Sequence, residues 1–397
     1  MKIPEHVAFT LDRLENNGYS AYLVGGCVRD FLMGIEPHDF DITTNALPQD
    51  IEKCFSDIKT LDIGKKHGTI SICFDNEIVE VTTYRIDGEY KDSRHPESVT
   101  FTDRIEDDLS RRDFTMNAIA YSPKRGFVDP FDGQNDIRNG IIRCVGDACV
   151  RFTEDALRIL RALRFSSRLG FAIENNTSTA IHDKKQLILN VAAERIRSEF
   201  DGMLDGKFAG DVISTYFDVL RVFIPHLSTV DYDDFSLSFD FDHVTRLCIF
   251  FNHFDDTSKL FEVLKSLRYD NKTIKTLVSV MSLFSTHLSR LSDRDIKHTV
   301  SEIGYENACV LYGAIYCHLK SVNSKNALER LYEFYENNEC MTVSNLSIKG
   351  DELSSLGFEK SLTGKLLKRL LYDLIEENVV NEKNALYERA KQYTDLV

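Results

Sequence analysis

The 397-residue sequence predicts an α+β head followed by an all-helical remainder. Three observations predict it. Short β-branched and aromatic runs, separated by Gly and Asp clusters, fill residues 1–150. Helical periods take over beyond about residue 150. Proline, frequent up to Pro130, recurs only at Pro225.

Each element has its own signal. Ala21–Val24 is a short apolar strand, and Phe40–Ile42, Thr69–Phe74 and Glu77–Tyr84 have strand character. Helical periods run over 154–168, 191–204, 257–267, 274–289, 305–320, 325–336 and 362–376. No internal repeat or low-complexity tract interrupts them.

The composition, 43% hydrophobic and 28% charged, is that of a globular chain long enough for several domains. No apolar run reaches the length of a membrane span, and the start MKIPEHVAFT lacks a signal-peptide pattern, so a cytosolic protein is expected. Nine cysteines without a CxxC pair predict reduced thiols rather than zinc or disulfides. The net charge of −15 by itself argues against a nucleic-acid partner. Distribution matters more than the sum. Eleven of the twenty-five arginines fall between Arg104 and Arg168, whereas Asp231, Asp233, Asp234, Asp240 and Asp242 crowd a later segment. A local basic face is compatible with an acidic chain.

The segment GGCVRDFLMGIEPHDFDI, residues 25–42, carries the sharpest chemical signal. Asp39 and Asp41 are two apart, so on a strand both face one way, their Cα atoms roughly 6–7 Å apart, and Phe40 faces a core. Such a pair can hold two Mg²⁺ ions, for which hard oxygen ligands are suited. A solvated strand end would give the same dipeptide spacing. The context favours chemistry: Gly25-Gly26 follows an apolar strand and precedes a helix containing Arg29, an arrangement that lets backbone N–H groups approach phosphate. Arg29 adds a charge-assisted contact. Glu80, a charge inside the apolar strand Ile78–Tyr84, is a candidate third carboxylate; an edge-strand charge facing water is its plain alternative.

Residues 153–168 read TEDALRILRALRFSSR and predict a helix with Thr153 as N-cap. Asp155, Arg158, Arg161 and Arg164 recur every third residue, each step drifting about 60° around the helix. Arg164 then lies on the flank, placed for a phosphate. Leu157, Leu160 and Leu163 form the neighbouring apolar stripe. An Asp and an Arg one turn apart can accept the amino hydrogen and donate to the ring acceptor of cytosine or adenine, which guanine and uracil would mismatch. A surface i,i+3 ion pair is the bland alternative.

The stretches LVGGCVRDFLMG, HDFDITT, EVTTYR, EDDLSRRDFTMNAIAY, DPFDGQNDIRNGIIRCVGDA and RFTEDALRILRALRFSSRLGF, in order across residues 23–171, resemble the class II branch of the polymerase-β-like nucleotidyltransferases. This is the tRNA nucleotidyltransferase/poly(A) polymerase family. The resemblance is looser over 191–204 and the C-terminal part. It implies a nucleotidyltransferase head over 1–150, a helical neck over 151–205 that recognises nucleotide, a body over 206–335 and a tRNA-binding tail over 336–397. It implies metal ligands at Asp39 and Asp41, and nucleotide contacts at Gly26, Arg29, Arg111, Asp155, Arg158, Arg161 and Arg164. Addition and repair of the tRNA 3′-terminal CCA from CTP and ATP follows as the expected function, with Mg²⁺ as cofactor. No membrane and no protein partner is expected; monomer and homodimer both stay open.

Two rivals share the chemistry. A poly(A) polymerase is disfavoured by GKKHGT at 64–69, where that group carries GRRF-like residues, and by an end, QYTDLV, without a basic tail. A CC-only enzyme is disfavoured by a full-length segment before EDDL. That segment, Asp87–Val99, has little apolar content and is expected to be mobile and to matter more for adding A than C. His182-Asp183 is an HD dipeptide without evident partner histidines, which reads as a helix-surface pair. In the C-terminal part, EKSLTGK stands where the family pattern has a Pro-rich turn.

Overall fold

A computed structural model describes residues 2–62, 64–75, 77–88, 98–227, 238, 240–252, 254, 257–355 and 358–393. The chain parts into two compact units, residues 1–225 and 226–397.

The first unit opens with α1 (Glu5–Asn16), β1 (Ala21–Val24), α2 (Gly26–Leu32), β2 (Asp41–Thr44), α3 (Pro48–Cys54), β3 (Thr60–Leu61), β4 (Thr69–Cys73) and β5 (Ile78–Thr83). A hairpin of β6 (Arg85–Asp87) and β7 (Val99–Phe101), α4 (Ile105–Ser110), β8 (Ala120–Ser122) and β9 (Gly126–Val128) follow. Seven strands form one mixed sheet in the order β3-β4-β5-β2-β1-β8-β9. The pair β2–β5 is parallel and sets Asp41 beside Glu80, while β1–β2 is antiparallel and sets Val24 beside Asp41.

The period of two sorts the faces. Leu23, Ile42, Ile70, Val79 and Val81 share one face and are fully buried, with Leu11, Leu14 and Ile51 of α1 and α3 also buried. On the opposite face Tyr22, Val24 and Tyr84 pack with Ile105 and Leu109 of α4 and with Ala118, Ala120 and Val145. Pro48 starts α3, where its missing N–H costs nothing.

Next come α5 (Gly133–Asn139), β10 (Ile141–Ile142), α6 (Ala148–Glu154), α7 (Leu157–Leu169), β11 (Ala172–Ile173), α8 (Asn175–Lys184), α9 (Ala193–Leu204), α10 (Ala209–Thr215) and α11 (Phe217–Phe223). The helix expected over 153–168 is broken in two. Asp147 caps α6 by accepting from Val150 N at 2.9 Å. Asp155 then leaves the helix in an extended conformation (φ −138°, ψ 101°), and its Oδ1 accepts from Leu157 N at 3.1 Å, which caps the new start. Thr153 is thus no N-cap; it sits inside α6 and donates to Cys149 O.

The second unit is helical: α12 (His243–Phe251), α13 (Thr257–Ser266), α14 (Asn271–His287), α15 (Asp293–Ile303), α16 (Tyr305–Leu319), α17 (Val322–Glu336), α18 (Gly350–Ser355), α19 (Thr363–Ile375) and α20 (Lys383–Lys391). The starts of α12, α14, α15 and α17 are capped by side chains. Asp242 serves α12, Asp270 serves α14, and Ser292 with Asp295 closes a capping box on α15. One member of the acidic stretch, Asp242, therefore has a structural use; Asp231, Asp233 and Asp234 lie outside the described residues. Within EKSLTGK, Thr363 is the first residue of α19, so the segment runs straight into a helix. Leu346, Ile348, Leu353, Leu366, Leu370 and Leu386 form a core there. Among the described residues no helix is long and apolar enough to cross a membrane. All nine cysteines are free thiols.

Candidate active site

The site is built at the open end of the sheet, where β1 and β2 meet. Gly25 joins β1 to α2 with φ 80° and ψ −133°, a conformation nearly closed to other residues. A Cβ there would stand 3.3 Å from Arg112 Nη1 and 4.0 Å from Asp41 Oδ2. The glycine lets a guanidinium and a carboxylate share its surface. Gly25→Ala is accordingly expected to lose about 1–3 kcal/mol of stability from backbone strain, read from the denaturant midpoint, and to slow nucleotide incorporation through the displaced Arg112.

Asp41 is the first residue of β2, whereas Asp39 and Phe40 lie just ahead of the strand. The expectation of both carboxylates on one strand thus holds only for Asp41. Phe40 is half-buried and Asp39 exposed. The two carboxylates feel each other: burial raises the pKa of Asp41, Arg112 partly offsets this, and the charge of Asp39 raises it further. Two mutually repelling oxygen donors open to solvent form a set that fits a divalent cation. Glu80 stands in register beside Asp41, on the same sheet face, and is exposed. Among the described residues no group of three His, Cys, Asp or Glu side chains gathers closely enough to hold a metal, so Glu80 is not drawn in with the pair.

Beneath the carboxylates lies an ion network that sequence reading did not single out. Asp108 of α4 is fully buried. Its Oδ1 accepts from Arg111 Nε at 3.0 Å and Nη2 at 2.7 Å, and its Oδ2 from Arg112 Nη2 at 3.2 Å and Thr43 Oγ1 at 3.3 Å. Burial alone would raise its pKa; Arg111 and Arg112 outweigh that and hold it below the ordinary value. Arg112 thereby binds Asp108 directly and acts on Asp41 through its charge. Asp113 accepts from Phe114 N, Asn117 and Arg161, and despite burial these keep its carboxyl low too. The alternation of charges in EDDLSRRD was the available signal.

The arginines of α7 are placed one by one. Leu157, Leu160 and Leu163 are buried as expected. Arg158, only 7% exposed, donates to Arg111 O at 2.9 Å and to Glu154 Oε2 at 3.1 Å. Arg161 binds Asp113 Oδ2 at 2.7 Å. Arg164 pairs with Glu199. The guanidinium carbons of Arg29, Arg161 and Arg164 lie 5.2, 5.4 and 4.6 Å from the centre of the Phe165 ring, so α2 and α7 converge on one aromatic face. Arg29 is oriented by Asp30 at 2.7 Å and Asn117 at 2.9 Å. Gly26 stands next to it; a Cβ there would be 3.7 Å from Arg29 Nη2. Asp155 is not on the helix face with Arg158. The break turns it toward Arg195, 3.6 Å away, and it makes no i,i+3 ion pair with Arg158. His182 is clasped to Asp218 at 3.0 Å and stacked on Tyr216, with no metal-holding group around it among the described residues.

The fold matches known proteins along the whole chain. The poly A polymerase head domain matches residues 21–143, the probable RNA and SrmB-binding site of polymerase A residues 170–228, and tRNA nucleotidyltransferase domain 2 residues 242–390. A CCA-adding enzyme of Leuconostoc mesenteroides is 31% identical over 394 residues, covering 97% of this chain and 95% of that one. The chain belongs to the CCA-adding enzyme family. Another member, from Ligilactobacillus salivarius, is 32% identical over 404 residues, with 96% and 95% covered. The solved structure of a Bacillus stearothermophilus member in complex with CTP superimposes with a TM-score of 0.82 at 29% identity, covering 100% of this chain and 98% of that one. The family's nucleotidyltransferase head followed by a mostly helical body is the architecture described above.

Proposed function

We infer that this chain adds and repairs the 3′-terminal CCA of tRNA without a template, taking CTP and ATP as substrates. Membership of the family, over nearly the full length of full-length relatives, supports it. The chain is a nucleotidyltransferase that uses a divalent metal, as its family does. The finer assignments are proposals. Asp39 and Asp41 would hold Mg²⁺, which lowers the pKa of the attacking hydroxyl and neutralises the triphosphate. Glu80 supports the same end of the sheet, and Glu80→Gln is expected to impair less than loss of either aspartate. Gly26 and Arg29 approach the phosphates. Arg111, Asp155, Arg158, Arg161 and Arg164 hold and read the nucleotide. The head (1–150) does the chemistry, the neck (151–205) the reading, and the body (206–335) and tail (336–397) hold tRNA, in a cytoplasmic protein.

The observation that carries the residue assignments is the convergence of Arg29, Arg161 and Arg164 on Phe165, in the same unit as Asp39 and Asp41. It supports the reading that phosphate-binding and base-reading donors share one surface. The test supplies labelled CTP or ATP to tRNA transcripts lacking CCA, lacking A, or complete. Ordered addition of C, C and A is expected. Stalling after CC would make it a CC-adding enzyme, and a run of adenosines a poly(A) polymerase.

Base reading has its own test. Asp155→Ala is expected to relax the preference for CTP over UTP by about 10-fold or more, because a good base contact is worth roughly 1–3 kcal/mol of discrimination. An unchanged preference ratio removes Asp155 from base reading.

A further inference from the structure

We propose that the second unit binds an organic polycation, a chain of ammonium groups spaced by methylenes as in a polyamine, in a cavity at the N-terminal ends of α12, α14 and α16. The proposal goes beyond the nucleotidyl transfer inferred above and does not depend on it.

The cavity, about 620 Å³, lies wholly within the second unit. Asp240, Asp242, Asp270 and Glu306 line it and are exposed, so they form its rim. Phe241, Val310 and Tyr332 supply apolar and aromatic wall. Tyr305, also in the lining, stacks on Tyr335 with ring centres 4.0 Å apart. Among the described residues Lys272 is the one basic side chain in the lining, and no ion pair joins it to the four carboxylates.

Helix capping accounts for part of the negative charge. Asp242 Oδ1 accepts from Thr245 N at 2.8 Å, and Asp270 Oδ1 accepts from Lys272 N at 2.9 Å and Thr273 N at 3.0 Å. Glu306 lies in the first turn of α16. Three helix N-termini contribute roughly half a positive charge each, which even with Lys272 leaves the four carboxylates in excess. Asp242 Oδ2 and the whole Asp240 carboxylate have no partner among the described residues. Their field reaches the wall: burial chiefly, with the Asp242 charge adding to it, raises the pKa of Cys309 and of Tyr332.

A second observation is independent of the acids. Thr245 is 3% exposed, and its methyl group packs at Gly313, where an added Cβ would stand 3.2 Å from it. Its hydroxyl lines the cavity without a hydrogen-bond partner among the described residues. A buried hydroxyl ordinarily finds one, in a helix often the carbonyl one turn back. This one is left as an acceptor for an ammonium group.

The choice of ligand follows from shape and charge. A single metal ion does not fit, because among the described residues no three carboxylates gather closely enough to hold one. RNA phosphates are repelled. One lysine or arginine of a protein partner answers one carboxylate and leaves the others and most of the volume. A polyamine answers spread carboxylates with successive ammonium groups and lays its methylenes on Phe241, Val310 and Tyr332.

The test is equilibrium dialysis of the full chain against labelled spermidine at physiological ionic strength, with thermal melting beside it. One spermidine per chain is expected, and a melting temperature that rises with its concentration. Asp240→Asn/Glu306→Gln removes two carboxylates and no cap; it should weaken binding about 5–10-fold and remove most of the thermal shift. Tyr332→Leu should weaken binding about threefold. Glu329→Gln/Glu359→Gln removes the same charge from exposed positions outside the lining and should leave both readouts unchanged. Uptake that does not saturate near one per chain, or equal losses in the two double variants, would be diffuse counterion binding and would overturn the site. An arginine-rich peptide held through Asp240 and Glu306 by a chain that takes up no spermidine would give the cavity to a protein partner instead. Circular dichroism checks folding. Should Asp240→Asn/Glu306→Gln not fold, Asp242→Asn, which keeps its cap and loses its charge, is measured in its place.

Discussion

Asp41→Ala is expected to lower incorporation of both C and A by on the order of 10³-fold or more, with Asp39→Ala close behind. On the proposed assignment both additions run through one pair of carboxylates, so neither nucleotide should escape. Asp41 is the more constrained of the two, paired on one side to β1 and on the other to β5. Its removal also leaves Arg112 Nη1 at the edge of Gly25 facing no carboxylate on that side. The measurement is initial rate in Mg²⁺ with CTP on tRNA lacking CCA and with ATP on tRNA lacking only A. Near wild-type rates in either variant would show that the metal is held elsewhere.

Asp108→Ala should be the most destabilising single change in the first unit, by about 3–5 kcal/mol. Asp108 is fully buried and answers Arg111 and Arg112 together; without it two guanidiniums remain in a closed layer. The folded-state pKa lies below the ordinary aspartate value of 3.8, and Asp113 shifts in the same direction. Stabilisation of this sign is complete above that ordinary value and is lost as pH falls through the lower folded value. Urea midpoints of wild type should therefore hold steady from pH 7 to pH 5 and drop in the acid range below about 4, and the variant should show a shallower acid drop. A midpoint at pH 7 within 1 kcal/mol of wild type would mean that the two arginines find other partners.

Much of the head was legible because local rules decided it. The strands at Ala21, Thr69 and Glu77 follow from their β-branched and aromatic content, and Gly25 takes a backbone, φ 80°, that side chains rarely permit. The broken helix was illegible for a specific reason. Thr153-Glu154-Asp155 before an apolar run imitates a helix start at Thr153, while the side chains that cap helix starts are Asp147, six residues earlier, and Asp155, two residues later. Asp155 was singled out for its charge, yet its backbone leaves the helix there, and no period in the sequence announces that. Asp113, Glu199 and Arg195 escaped because their partners lie in other elements; a pairing between helices leaves no spacing to read. The Asp87–Val99 segment is described only at its ends, where Gly88 N donates to Ser98 O at 2.9 Å. Residues 89–97 lie outside the described residues.

The offset between Asp39 and Asp41 has a mechanical meaning. Asp41 is clamped within the ladder, so its carboxylate is carried on a stiff mount; Asp39 hangs on the lead-in before the ladder begins. On the proposed assignment one metal ligand would be fixed and the other compliant. A pair of that kind would tolerate cations of different radius by yielding on one side only, so exchange of Mg²⁺ for larger Mn²⁺ should move Asp39 and leave Asp41 where it was.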